Sequence, residues 1–217
     1  MANATLTISS RNYSAWSLRG WLLCRIAGIP FSEVVLPIDA AARAELLLLS
    51  PSFLVPCLEH QGARVWDTLA IGEYLAELKP KAGLLPAERV ARAHCRSISG
   101  EIHSGFSNLR AALPMNLKAR HAEFHIFAGA RPDIARVAAI WNECLEAYGG
   151  PFLFGAKPAI ADAMYAPVCT RFRTYAVELE APHAGYCEVI LDWSLMQEWT
   201  RDALAEPEDI IELDVEF

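Results

Sequence analysis

The chain has 217 residues, 53% of them hydrophobic, and a formal charge of −7. That is apolar material for one large domain or two small ones, with no run near the roughly eighteen apolar residues of a membrane span. The negative balance and the lack of a dense basic patch exclude nucleic acid as the expected partner, and Met1–Thr5 lacks the basic and apolar regions of a signal peptide.

In chain order, Thr5–Ser9 reads as a short strand. Ser14-Ala15-Trp16-Ser17-Leu18-Arg19 then leads into Trp21–Ala27, with serines at the helix start and Gly28 just past its end. Glu33–Ile38 predicts a second strand, and Ala40–Leu49 a second helix closed by Ser50-Pro51. Val55-Pro56-Cys57-Leu58 predicts a strand opened by proline, which lacks a ladder donor and belongs at strand starts or edges. Gln61-Gly62 marks a turn into Arg64-Val65-Trp66. Asp67 and Thr68 then stand before the helical pattern Leu69, Ala70, Ile71, Tyr74 and Leu75. Strand–helix–strand–helix–strand–strand–helix is a mixed α/β layer whose sheet is buried under helices.

Pro80, Gly83 and Pro86 interrupt both apolar periodicities and predict a boundary, giving domains over 1–79 and 88–217 with a linker over 80–87. Beyond it only helices are expected. Arg89–Leu113 reads as one helix of about 25 residues. In Pro132–Tyr148, residues Ile134, Val137, Trp141, Cys144, Leu145 and Tyr148 share a face. Further helices are expected over Ile160–Tyr175, kinked at Pro167, and over His183–Leu191 and Leu195–Leu204. The acidic run Glu206, Glu208, Asp209, Glu212, Asp214, Glu216 reads as a solvated tail.

The six cysteines (24, 57, 95, 144, 169 and 187) contain no C-x-x-C pair and sit within apolar patterns, as buried reduced thiols of a cytosolic protein would. The histidines include no H-x-x-x-H helical pair with a third ligand nearby, so no metal is expected. The chemistry concentrates at Asp67-Thr68. A helix start offers free N–H groups and a hydroxyl to a carboxylate, while Asp67 offers a carboxylate to an ammonium. With a backbone edge at Val55 for pairing, the combination suits a small peptide such as glutathione. Ser14, from its position alone, reads as a helix N-cap.

Ser14-x-x-Ser17-x-Arg19, Gly28-Ile29, Val55-Pro56 and Asp67-Thr68, in that order, resemble the glutathione transferase family, its serine-type and zeta-like classes in particular. The resemblance runs along nearly the whole chain. It implies a thioredoxin-like α/β N-terminal domain, an all-helical C-terminal domain and a cytoplasmic homodimer. Glutathione is then the co-substrate, without a metal, and Ser14 donates its hydroxyl hydrogen to the thiolate. Tyr13 is an alternative donor, and Ser17 is expected to face the backbone as a cap. Val55, with a cis Pro56, would hold the cysteinyl unit, and Asp67 and Thr68 the γ-glutamyl end. Leu54 and Phe53 depart from the residues that usually precede the Val-Pro pair; Arg43 could hold the glycyl carboxylate in their place, although a solvated helix face is the preferred reading of Arg43. Tyr13, Trp16, Phe106, Arg110, Met115 and Arg173 are candidates for an electrophile pocket between the domains, and a lone His103 reads as structural. Ala159-Ile160-Ala161-Asp162 keeps the acid of the family's capping box without its hydroxyl. The expected activity is addition of glutathione to a small electrophile. A zeta-like isomerase ranks second, because Ser14-Ala15-Trp16 replaces the usual Ser-Ser-Cys. A non-catalytic glutathione- or ligand-binding module is the remaining alternative.

Overall fold

The computed structural model describes residues 4–36 and 55–207. The expected second helix, with Arg43, and Phe53, Leu54 and the acidic residues beyond 207 lie outside them. Strands β1 (Ala4–Ile8), β2 (Ser32–Val35), β3 (Cys57–His60) and β4 (Ala63–Trp66) form one sheet in the order β2-β1-β3-β4. β1 and β2 run parallel, with Thr5 beside Ser32, and helix α1 (Ala15–Ala27) makes the crossover such a pair requires. β3 returns antiparallel with Leu6 opposite Leu58, and β4 pairs with it through Cys57 and Trp66. Alternate residues Ala4, Leu6 and Ile8 of β1 turn inward, as a period of two demands, and join Leu18, Leu22 and Leu23 of α1 in one core. Gly28 ends α1 at φ +66°, a left-handed position that costs glycine little, and its N–H donates to the Arg25 carbonyl.

After β4 come α2 (Thr68–Leu78), α3 (Arg89–Ser104), α4 (Ser107–Ala112), α5 (Arg131–Tyr148), α6 (Ile160–Thr174), α7 (Ala181–Asp192) and α8 (Ser194–Leu204). The fold class is the expected one, a mixed sheet with helices followed by a helical region. All six cysteines are buried free thiols. No helix among the described residues is long and apolar enough to cross a membrane.

One expected element is corrected. The Arg89–Leu113 pattern is not a single helix: it breaks at Gly105-Phe106. Phe106 sits in left-handed backbone at φ +59° with its ring in the core. A Cβ on Gly105 would come within 2.8 Å of the Glu101 carbonyl oxygen, so glycine is needed at this corner. The apolar spacing continues across the break, which hides it from periodicity. Asp133 of α5 accepts from Leu109 N at 2.9 Å and serves the uncapped start of α4.

Helix α6 is buried along almost its whole length and runs on through Pro167. Trp141 of α5 packs edge-on against Tyr165, Phe172 and Tyr186 around it. At its start the fully buried Asp162 accepts from Ala159 N at 2.8 Å, Leu153 N at 3.0 Å and the Tyr186 hydroxyl at 3.1 Å. This is the acid half of a capping box, standing without the hydroxyl half. Burial pushes the Asp162 carboxyl up from its ordinary 3.8 to about 6, against those three donors.

Asp162→Ala should lose about 2–5 kcal/mol, because two buried N–H groups lose their acceptor. A folded pKa raised above the unfolded one favours the folded state most below about pH 4, and that contribution is lost as pH rises through 6. Urea unfolding at pH 5 and pH 7.5 should therefore show the stability gap between wild type and Asp162→Asn widening at the lower pH. A gap independent of pH would contradict the assignment.

Candidate active site

β1 hands over to α1 through a turn at Arg11–Tyr13, and Ser14 is the N-cap of α1. The Ser14 oxygen accepts from Ser17 N at 3.2 Å, and its hydroxyl donates to the Ser17 oxygen at 2.9 Å. Ser17 is wholly buried one turn into the helix, and its oxygen accepts from Ser9 N at 3.0 Å. The expectation that Ser17 is a backbone cap is thus corrected: Ser14 caps, and Ser17 ties the helix to the end of β1. The Ser9 N–H and the Ser14 hydroxyl thus converge on the Ser17 oxygen and link the three residues. Tyr13 is half-buried beside it, its N–H donating to the Ser10 hydroxyl oxygen at 3.3 Å.

The Val55–Pro56 bond is cis, and the strand begins only after it, at Cys57. A Cβ at Gly20 of α1 would lie 2.4 Å from Pro56 Cγ and 2.6 Å from its Cβ. Gly20 therefore lets Pro56 close against the helix whose N-terminus carries Ser14. At the mouth of α2, Asp67 stands at φ +75° and ψ 133°, outside the usual regions for a residue with a side chain. Such strain is held only where its surroundings over-determine it. Asp67 Oδ1 accepts from Leu69 N at 2.8 Å and Ala70 N at 3.3 Å, and Oδ2 lies 2.9 Å from His103 Nε2. The other ring nitrogen of His103 is 3.4 Å from the Thr68 hydroxyl. His103 comes from α3, so the helical half completes the head of α2. Sequence reasoning missed this role because a pairing across 35 residues leaves no local pattern.

His103 also leads to Trp16. Its ring meets that indole edge-on at 5.1 Å, while Arg19 Cζ lies 4.5 Å and Arg110 Cζ 5.6 Å from the indole centroid. Arg110 donates to the carbonyls of His103 and Gly105. Arg19 is buried, its Nε donating to the Met164 carbonyl at 2.9 Å and its Nη1 without a partner. Buried Arg171 donates to the Leu113 and Pro167 carbonyls. Burial holds Arg19 well below the usual arginine range and Arg171 down at about 10; Arg19 also feels the charges of Arg171 and Arg110, and Arg171 that of Arg110. Burial is the larger cause throughout; since an arginine keeps its proton in a protein, the charges of Arg171 and Arg110 that reach Arg19 add a local positive potential to it. None of the three forms an ion pair among the described residues. Asp133, which acts on Arg110, accepts from the Leu109 N–H.

The other pocket candidates do not join this group. Phe106 and Met115 are core residues, and Arg173 lies among the charges of Arg120 and Asp192. Burial pushes Cys24 up to about 12, which suits packing and makes it a poor nucleophile. No cluster of three His, Cys, Asp or Glu side chains fit for a metal occurs among the described residues.

A cis proline before an antiparallel strand, packed against a helix capped by Ser14, and a helical region alongside define a thioredoxin-like fold with a helical partner. Residues 13–78 match the family model "Glutathione S-transferase, N-terminal domain" and residues 116–201 the model "Glutathione S-transferase, C-terminal domain". The maleylacetoacetate isomerase of Rhizobium meliloti is 31% identical over 190 residues, covering 83% of this chain and 87% of that protein. A glutathione transferase homologue from Burkholderia, solved with bound glutathione, superposes with a TM-score of 0.71 at 21% identity, covering 94% of this chain and 99% of that one. Maleyl pyruvate isomerase, a bacterial zeta-class glutathione S-transferase, gives 0.72 at 20% identity, over 95% of this chain and all of that one. The chain belongs to the glutathione S-transferase family.

On an open helix face, Gly→Ala stabilises by about 1 kcal/mol through helix propensity. At Gly20 the added methyl would overlap Pro56, so Gly20→Ala should instead destabilise by about 1–3 kcal/mol. Thermal unfolding of the two proteins measures the sign, and a raised Tm would mean that Pro56 does not pack against α1 as described.

Proposed function

We propose that the protein is a glutathione-dependent isomerase acting on a small acidic molecule whose cis double bond is conjugated to a carbonyl, of the maleylacetoacetate type. Glutathione transfer to small electrophiles is the second reading, since both begin with the same thiolate. Ala15-Trp16 in place of Ser-Cys favours the transferase on local sequence alone. The likeness to isomerases along 83% of the chain outweighs it. The observation that carries the substrate class is the pair Arg19 and Arg110 at the ring of Trp16, two residues from Ser14, with the charge of Arg171 also reaching Arg19 and no carboxylate ion-paired to any of the three among the described residues. A site for a neutral electrophile has no need of that potential. A carboxylated substrate would be held by it, through the half-buried Arg110 above all.

In this reading Asp67 receives the γ-glutamyl ammonium of glutathione, Thr68 and the α2 N-terminus its carboxylate, and Val55 beside cis-Pro56 the cysteinyl backbone. His103 fixes the orientation of Asp67. The Ser14 hydroxyl turns from Ser17 toward the sulfur, and Ser17 then donates to the Ser14 oxygen while still accepting from Ser9 N. Each donor in the chain polarises the next, which favours the thiolate over the thiol. The thiolate adds to one carbon of the double bond and the electron pair moves onto the carbonyl oxygen. The bond, now single, rotates; the pair returns, the thiolate leaves, and glutathione is regenerated. Tyr13 is the alternative donor. We extend the proposal to a thioredoxin-like domain over 1–79, a linker over 80–87, a helical domain over 88–217, and a cytoplasmic homodimer.

The test is thiolate absorbance of bound glutathione against pH, with turnover measured beside it. Ser14→Ala should raise the thiol pKa toward that of free glutathione and cut turnover at neutral pH by about tenfold to a thousandfold. It should leave glutathione affinity near wild type. Asp67→Ala should do the converse, weakening affinity by about 1.5–3 kcal/mol through loss of a charged hydrogen bond. Unchanged thiol pKa and rate in Ser14→Ala, with activity abolished in Tyr13→Phe, would move the role to Tyr13. If neither substitution matters, the protein is a binder.

A further inference from the structure

Glu206 was grouped with a solvated acidic tail, and the structure corrects that grouping. Just past α8 its side chain turns back across the molecule to the turn that precedes Ser14. Oε2 accepts from the Ser10 hydroxyl at 2.8 Å and from Asn12 N at 3.1 Å, and Oε1 from Arg11 N at 2.7 Å. Three donors from three successive residues converge on one carboxylate, a concavity of backbone N–H groups filled from within the chain. The main chain of Glu206 is held too: its carbonyl accepts from Lys118 Nζ at 2.7 Å, and its N–H donates to the Ala203 carbonyl.

The Ser10 hydroxyl links this clamp to the site. While donating to Glu206, its oxygen accepts from Asn12 N at 3.1 Å and Tyr13 N at 3.3 Å, and the Ser10 carbonyl accepts from Ser14 N at 3.1 Å. Trp199 of α8 donates to the Arg11 carbonyl at 3.0 Å, and fully buried Asn12 accepts from Leu117 N and Lys118 N. The turn is thus gripped from the helical side, with Glu206 the one carboxylate holding its N–H groups among the described residues.

We propose that Glu206 is a positioning residue: it fixes the Ser10–Ser14 turn and thereby the direction of the Ser14 hydroxyl toward the glutathione sulfur. The proposal rests on the role given to Ser14 above. It acts by geometry and not by charge, since a carboxylate near the start of α1 would by itself disfavour a thiolate. The two modes predict opposite effects of Glu206→Gln, which keeps an acceptor oxygen and removes the charge.

Bound-thiol pKa, kcat and glutathione KM are measured for wild type, Glu206→Ala, Glu206→Gln, Ser10→Ala, Ser14→Ala and the Glu206→Ala/Ser14→Ala double variant. Glu206→Ala should raise the thiol pKa and lower kcat about tenfold to a hundredfold, as a small misplacement of a reacting group does. Its glutathione KM should stay within about twofold, because Asp67, Thr68 and Val55 are untouched. Glu206→Gln should fall between it and wild type, and Ser10→Ala should reproduce the loss from the loop side. The double variant should be no slower than Ser14→Ala alone, since one residue acts through the other. Wild-type thiol pKa and kcat in Glu206→Ala, beside an impaired Ser14→Ala, would overturn the proposal, as would a thiol pKa below wild type in Glu206→Gln. If Ser14→Ala proves silent, the functional reading fails by itself, and amide hydrogen exchange at Arg11 and Asn12 judges the clamp. Faster exchange in Glu206→Ala supports it, and unchanged protection overturns it.

Discussion

A buried guanidinium joins the two halves of this protein, and the site is arranged around it. Arg19 leaves α1, passes under Trp16 and donates to the Met164 carbonyl of α6. With no carboxylate partner among the described residues its burial is costly, and carbonyl oxygen, the indole face and the packing around them offset the cost. Fixing Arg19 fixes α1 against α6. Gly20, next along α1, then receives Pro56, and Ser14 caps the head of the same helix. The positive potential that a charged substrate would feel follows from the same constraint.

A second layer of polar contacts sets the parts that do chemistry. On the sheet side, Ser9, Ser17 and Ser14 form a chain of hydroxyls and one N–H ending at the mouth of α1. On the helical side, His103 reaches Asp67 and Thr68, while Glu206, Leu117 and Lys118 grip the turn between β1 and α1. Asp67 is therefore held by a residue from the other half of the chain, and so is the turn that precedes Ser14. In the proposed reaction this gives the helical half a part: its side chains would set which way the hydroxyl and the carboxylate of the first half point.

What could be read from the sequence follows from how local each signal is. Strands β1, β3 and β4, the first helix with its glycine end, and α5 to α8 are visible because periodicity and capping residues are contiguous. Val55-Pro56 and Asp67-Thr68 stood out for the same reason, as unusual residues at element starts. The break at Gly105-Phe106 did not, since Leu109 and Leu113 continue the apolar spacing of α3 and only the close approach of the Glu101 carbonyl requires the corner. Ser17 reads as a cap because a serine near a helix start is one by local rules, whereas its oxygen is met by the N–H of Ser9, the residue just past β1 and eight positions earlier. His103 and Glu206 were illegible for one reason: a single polar residue on a helix face or in an acidic run is indistinguishable from solvated surface until the fold supplies its partners. Trp16, a departure from the family's serine-cysteine pattern, becomes intelligible only with Arg19 and Arg110 beside its ring.

The central claim is that the thiolate is returned and not consumed, and it is tested by the stoichiometry of glutathione. The protein is given an acidic enone of cis geometry in excess over glutathione, and the trans product and the remaining free thiol are followed together. The account predicts many molecules of trans product per glutathione, with the thiol undiminished and no reaction in its absence. Consumption of one glutathione per substrate, ending in a stable thioether, would contradict it and return the protein to the transferases.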